Sequence, residues 1–344
     1  MLLKPMEKPV LPERLSGKPL IAITIGDPAG IGPEIVCKAI AHGEIFEICR
    51  PVVIGDRKII QREIYRNKLS LDITLVEGLN EEMESTSGNI SLIDMGNADD
   101  LPDYGKICGG CGRAAYEYLE KAAELAQKGK ISAITTAPIN KMSIKAAGVP
   151  FAGHTEILGS LLGARDPLTM FEIAGELRVF FLSRHVSLME ACRIVKRDRI
   201  FDYIVRCDAA LKQLDIEQRR PIGVAALNPH GGEGGLFGRE ELDEIIPAVE
   251  LARQKGIDVL GPIGADSIFS MARRGAFSAV LSMYHDQGHI ATKTLDFDRT
   301  VSITLGMPIL RTSVDHGTAF DIAGRGIADP TNLIEAVKAA ARYS

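Results

Sequence analysis

Short apolar runs alternate with amphipathic stretches of helical length along most of the 344-residue chain, and this alternation restricts the fold more than any other feature. Runs of β type fall at residues 19–25, 51–55, 71–76, 90–95, 131–135, 279–283 and 301–305. Between them, stretches such as 111–128 place Ala114, Leu119, Ala122, Ala123, Leu125 and Ala126 at helical spacing. Strands buried on both faces read as continuous apolar runs, and parallel strands need crossover helices, so the expected fold class is α/β with mostly parallel sheets. The length predicts two lobes. The expected division is a loose tail over 1–17, a first domain of 18–135 plus 305–344, and a second of 136–304.

Charge and cysteine usage narrow the function classes. With 40 Lys+Arg against 45 Asp+Glu the net charge is −5. There is no long basic run, so a nucleic-acid surface has no electrostatic support. No apolar stretch approaches the ~18 residues of a membrane span, and the first residues lack the apolar core of a secretory signal. The six cysteines lie mostly within expected helices or beside apolar runs, as reduced thiols of a cytoplasmic protein do. Cys108 and Cys111 form a CGGC pair, but no second pair exists to complete a zinc site.

Ligands of α/β proteins collect at the carboxyl ends of strands, and the chain delivers its polar residues there. LRVFFLSRH brings an apolar run to His185, IGVAALNPHGG brings another to His230, and AVLSMYHDQG brings a third to His285. Three neutral imidazoles suit Zn²⁺ or a related divalent ion with positions left for substrate, whereas any one alone would read as a hydrogen-bonded loop residue. Asp266, in GPIGADSIF, is a candidate fourth ligand or outer partner. Beyond His285 come Lys293, Arg311, Asp315 and His316, a set suited to a small anion. In GHTE, His154 and Thr155 stand at the expected start of a helix, where free N–H groups favour phosphate or carboxylate; an ordinary helix cap is the plain alternative. The turn GDPAGIGPE at residues 26–34 lacks both the Gly-Lys-Ser/Thr of a P-loop and the G-x-G-x-x-G spacing of a dinucleotide fold. It can aim Asp27 and backbone N–H groups into a cleft, or serve as a tight turn alone.

Together GDPAGIGPE, TAPxNK, GHTE, LNPHGGE, MYHDQG and RTSVDHGTA resemble the 4-hydroxythreonine-4-phosphate dehydrogenase family, in the same order and over nearly the whole chain. The resemblance implies two α/β/α lobes similar to isocitrate and isopropylmalate dehydrogenases, without the usual dinucleotide fingerprint. It also implies a homodimer with active sites at the subunit contact. It places metal ligands at His185, His230 and His285, the last contributed as His285 of the partner subunit. It places substrate contacts at His154, Thr155, Lys293 and Arg311, and at Ser302, where the family usually has Asn. APxNK, DQGHI and TAFDIA look closer to the branch acting on D-threonate and D-erythronate 4-phosphates than to the vitamin B6 biosynthetic branch.

The implied reaction is NAD-dependent oxidation of the substrate's C3 hydroxyl followed by loss of its carboxylate, assisted by a divalent metal (Zn, Mg, Co, Ni or Mn). Lys293 and Asp266 are both candidates for the catalytic proton acceptor. The sugar-acid branch would give dihydroxyacetone phosphate and the biosynthetic branch 3-amino-2-oxopropyl phosphate. A metal-dependent sugar-acid phosphatase and an idle sugar-phosphate sensor are the readings from other classes.

Overall fold

The structure, a computed structural model, describes residues 17–79, 85–98, 102–151, 153–164, 166–173, 175–216 and 220–344. The tail expected over 1–17 lies outside the described residues except for Gly17. The chain divides into two compact units. One runs up to Pro167 and resumes with Thr304–Ser344, and the other is Leu168–Ile303.

In chain order the first unit contains β1 (Leu20–Thr24), α1 (Gly32–His42), β2 (Arg50–Gly55), α2 (Arg57–Arg66), β3 (Asp72–Leu75), β4 (Asn89–Asp94), α3 (Gly109–Gln127), β5 (Ala133–Thr136), α4 (Lys141–Ala146) and α5 (His154–Leu161). The second contains β6 (Leu168–Ile173), β7 (Leu177–Phe181), α6 (Leu188–Arg193), α7 (Arg197–Gln213), β8 (Ile222–Ala225), α8 (Ile246–Gln254), β9 (Val259–Ile263), α9 (Ala265–Arg273), β10 (Ala279–Ser282) and α10 (His285–Leu295). Strand β11 (Thr300–Leu305) meets the division, and β12 (Leu310–Val314) and α11 (Thr331–Tyr343) complete the first unit.

All pairings in the first unit are parallel, in the order β3-β4-β2-β1-β5-β12. Strands β1 and β5 are buried at every residue, as expected of central strands covered on both faces. Strand β3, at the edge, is largely exposed. Asp56 caps α2 as the sequence predicts, its Oδ1 accepting from the N–H groups of Lys58 and Ile59 while Oδ2 accepts from Ala98.

The first crossing between units falls at Pro167, later than the expected 135. Helix α3 packs against both α4 and α5 and keeps them in the first unit. The contact is close: a Cβ on Gly112 of α3 would lie 2.0 Å from the Ser143 carbonyl oxygen of α4. Apolar periodicity marks each helix but not the neighbour it packs on, so this boundary was hidden from the sequence.

In the second unit the order is β6-β7-β10-β8-β9, with β11 beside β6. Only the β6–β7 hairpin is antiparallel among the pairs described here; β7, β10, β8 and β9 run parallel. Phe171, Phe181, Ile268, Phe277 and Val280 anchor its core. Among the described residues no helix is long and apolar enough to cross a membrane, and all six cysteines are free.

Candidate active site

Strands β7, β10 and β8 are adjacent and parallel, so their carboxyl ends share one edge of the sheet. His185 follows β7, His230 follows β8, and His285 opens α10 directly after β10. The three imidazole-bearing segments therefore leave one rim, as the recurring sequence context implies. His185 and His285 come together, with ring centroids 6.0 Å apart within one chain.

Polar side chains pin the backbone of this rim. Gln287 accepts from the N–H of Met283 at 2.7 Å and donates to the carbonyl of Ala226 at 2.8 Å, tying the end of β10 to that of β8. Ser183 donates to the carbonyl of Met283, which ties in β7. The loop before His230 is held by Glu241, only 1% exposed, whose Oε1 accepts from the N–H groups of Leu227 and Asn228. Its Oε2 accepts from the Asn228 side chain. From His230 to Gly235 the backbone stays at positive φ, including the non-glycine residues His230 (53°) and Glu233 (45°). Such a left-handed run is costly for L-residues and persists only where surrounding contacts over-determine it.

Helix α10 carries the densest chemistry. His285, His289 and Lys293 recur every four residues and share one face. The Nδ1 of His285 donates to Asp286 at 2.6 Å, which leaves Nε2 as the nitrogen able to bind an ion. His289 stacks on His285 and meets Phe171 and Phe181. Burial, then the charges of His285, Lys293 and Arg184, push its imidazole down to about 3. A Cβ at Gly288 would come within 2.6 Å of Phe181 and 2.8 Å of Ser282, so glycine allows α10 to lie directly on β7 and β10.

The first unit holds a buried polar cluster of its own. Arg311 of β12 is 4% exposed. Its Nη2 and Nε donate to Thr136 Oγ1 at 2.7 and 3.2 Å, and Nη1 donates to Thr304 Oγ1 at 3.2 Å. His154 opens α5, and its buried Nε2 has no hydrogen-bond partner among the described residues. Burial, reinforced by the Arg311 charge, holds this imidazole well below its ordinary value despite a hydrogen bond to the Ala137 backbone. A fixed buried guanidinium beside a neutral imidazole and open helix N–H groups suits a phosphate or carboxylate. The helix cap is Gly153, without side-chain capping, so Thr155 does not cap α5.

The remaining expected site residues are Asp266, exposed in the first turn of α9, Lys293, half-buried on α10, and Ser302, half-buried on β11. His154, Thr155, Arg311, Asp315 and His316 belong to the first unit; His185, His230, Asp266, His285, Lys293 and Ser302 belong to the second. The GDPAGIGPE turn is built by close packing: a Cβ on Gly26 would lie 2.2 Å from the Pro138 oxygen, and Asp27 accepts from the N–H of Ala29. The tight-turn reading accounts for these contacts. Thr136, Glu241 and His289 are not singled out as site residues by the sequence. The four-residue spacing of His285, His289 and Lys293 could have revealed His289, whereas nothing local marks Glu241.

The donor chemistry fits a divalent metal. His185 and His285 are neighbouring imidazoles, and the second has its Nδ1 already engaged by a carboxylate. Among the described residues no three His, Cys, Asp or Glu side chains of one chain converge closely enough to hold an ion.

The described residues combine an α/β fold, imidazole-bearing segments on one strand-end rim and a buried guanidinium. The chain belongs to the family described as "Pyridoxal phosphate biosynthetic protein PdxA", whose model matches residues 47–340. It is 54% identical to a Fusobacterium nucleatum protein over 325 residues, 94% of this chain and 97% of that one. It is 52% identical to a Clostridium botulinum protein over 331 residues, 96% and 98% of the two. Both are named "Putative D-threonate 4-phosphate dehydrogenase". A solved 4-hydroxythreonine-4-phosphate dehydrogenase from Burkholderia phymatum superposes with a TM-score of 0.84 at 43% identity, covering 95% of this chain and 98% of its own. The Klebsiella pneumoniae enzyme of the same name gives 0.86 at 36%, covering 94% and 98%. The chain is accordingly an oxidoreductase of the dehydrogenase type, acting on a CH–OH group.

Proposed function

We propose that the protein oxidatively decarboxylates a 4-phosphorylated four-carbon hydroxy acid, D-threonate 4-phosphate or D-erythronate 4-phosphate, to dihydroxyacetone phosphate and CO₂. NAD⁺ would take the hydride from C3. The observation that carries this reading is the strand-end rim from which the segments bearing His185, His230 and His285 all leave, in a chain whose relatives above 50% identity bear the D-threonate 4-phosphate name.

His185, His230 and His285 would hold the divalent ion, which would supply Lewis acidity at the C3 oxygen through oxidation and decarboxylation. His285 is directed by Asp286, and His230 is carried by the loop that Glu241 fixes. Lys293 and Asp266 are the proposed proton acceptors; sharing a helix face with His285 favours Lys293. Arg311, His154 and Thr155 would take the substrate's phosphate, the guanidinium being aimed by Thr136 and Thr304. Ser302 would contact the substrate with a shorter side chain than the Asn usual in the family.

Exposed apolar residues support a homodimer with shared sites. Each histidine of the rim is followed closely by such residues: Leu188 and Met189 (62% and 67% exposed) after His185, Leu236 (75%) after His230, and Ile290 (65%) after His285. Apolar exposure beside a site is what a subunit contact would cover. In that assembly the third imidazole would be His285 of the partner subunit. The reading includes a cytoplasmic location, supported by six free thiols.

A second reading is 4-hydroxythreonine-4-phosphate as substrate, giving 3-amino-2-oxopropyl phosphate; the name and 43% identity of the Burkholderia phymatum structure favour it. The test is to offer the three 4-phosphates with NAD⁺ or NADP⁺, with and without chelator, while following reduced nicotinamide and CO₂. Reduction with a sugar-acid phosphate supports the first reading, reduction with only the amino acid phosphate supports the second, and phosphate release without reduction supports a phosphatase instead.

A further inference from the structure

The ring of His285 is constrained on two sides. Asp286 engages Nδ1 at 2.6 Å, and His289 lies against its face with centroids 3.7 Å apart and planes 13° apart. A histidine ring turns about a broad torsional minimum, so one hydrogen bond leaves it free to rock, whereas a flat neighbour narrows that motion.

His289 is itself held. Its ring meets Phe171 edge-on at 4.2 Å and 65°, and Phe181 at 4.7 Å and 42°. Both phenylalanines belong to the buried core of the second unit. Gly288 lets this turn of α10 sit close enough to β7 for the contact to form. Core packing is thereby transmitted through one imidazole to another.

We infer that His289 is a positioning residue, an aromatic platform between the Phe171–Phe181 pair and His285 that fixes the direction in which His285 Nε2 presents its lone pair. The inference rests on the proposed metal role of His285 and adds to it a residue that acts through packing, without binding the ion. Outer partners that orient ligating histidines characteristically change metal affinity by about 10–100-fold when removed.

The test uses the full-length protein with Co²⁺, read by titration calorimetry and by the visible absorption of the bound ion, which reports ligand geometry without turnover. His289→Phe keeps a flat ring but no nitrogen and is expected to bind Co²⁺ within about threefold of wild type with the same spectrum. His289→Ala and His289→Leu are expected to bind about 10-fold or more weakly, with a shifted spectrum; the leucine keeps apolar contact with the phenylalanines should the alanine variant fold poorly. Equal affinity and spectrum in all variants would overturn the inference, as would a phenylalanine variant as weak as alanine, which would make His289 a ligand. Absence of Co²⁺ binding in wild type would overturn the metal reading and this inference together, a result distinguishable from failure confined to the variants.

Discussion

Asp286 accepts a 2.6 Å hydrogen bond from Nδ1 of its sequence neighbour His285. A carboxylate in that place fixes the tautomer with its lone pair on Nε2. Replacing Asp286 by Asn keeps the size but loses the charge, and Ala loses both. Divalent-metal affinity measured by calorimetry is expected to fall about 10-fold or more for Asp286→Ala, with Asp286→Asn between it and wild type.

Arg311 is expected to control affinity for the substrate's anionic group. The guanidinium is anchored through Thr136 and Thr304, and a bidentate grip depends on that planar fork. Arg311→Lys keeps the charge without the fork, so kcat/KM for the phosphorylated substrate should drop by about 100-fold, chiefly through KM. Thr136→Val should produce a smaller loss. Steady-state kinetics with each variant checks the order.

His154 gives the stability a pH dependence of defined sign. Its folded imidazole is held well below its ordinary value by burial and then by Arg311, while the unfolded chain titrates near 6.5. Below about pH 6.5 the unfolded state therefore binds the extra proton, and stability declines as pH falls, by up to about 1.4 kcal/mol per pH unit from this group. Above that pH the group is neutral in both states and the penalty vanishes. Urea denaturation at pH 7.5 and 5.5 should show a larger loss for wild type than for His154→Gln.

Glu241 should matter to both folding and the rim. Removing its carboxylate leaves the N–H groups of Leu227 and Asn228 without their acceptor, at a cost of about 1–3 kcal/mol for each buried donor left unsatisfied. Glu241→Ala is expected to lower the denaturation midpoint and weaken metal binding together, because the same loop carries His230. Glu241→Gln retains an acceptor oxygen and should lose less of both.

Much of this arrangement is legible in the residues because strand ends are. The apolar runs before His185, His230 and His285 mark buried strands, and the polar residues after each run fall on one rim because those strands are adjacent and parallel. Asp56 likewise announced the helix it caps. Contacts made across sequence were hidden. Nothing near Glu241 in the chain indicates that it reaches back to Leu227, and Thr136 reads as an ordinary strand residue until β12 brings Arg311 beside its strand. The packing of α4 and α5 on α3, which moved the first division to Pro167, belongs to the same class.

The most direct measurement follows nicotinamide reduction and CO₂ release by purified protein given D-threonate 4-phosphate and NAD⁺, alongside His285→Ala and a chelator-treated sample. The account predicts one reduced nicotinamide and one CO₂ per dihydroxyacetone phosphate formed, with both lost in the variant and restored to the chelated sample by a divalent metal. Undiminished turnover in His285→Ala, or release of inorganic phosphate with no nicotinamide reduced, would contradict it.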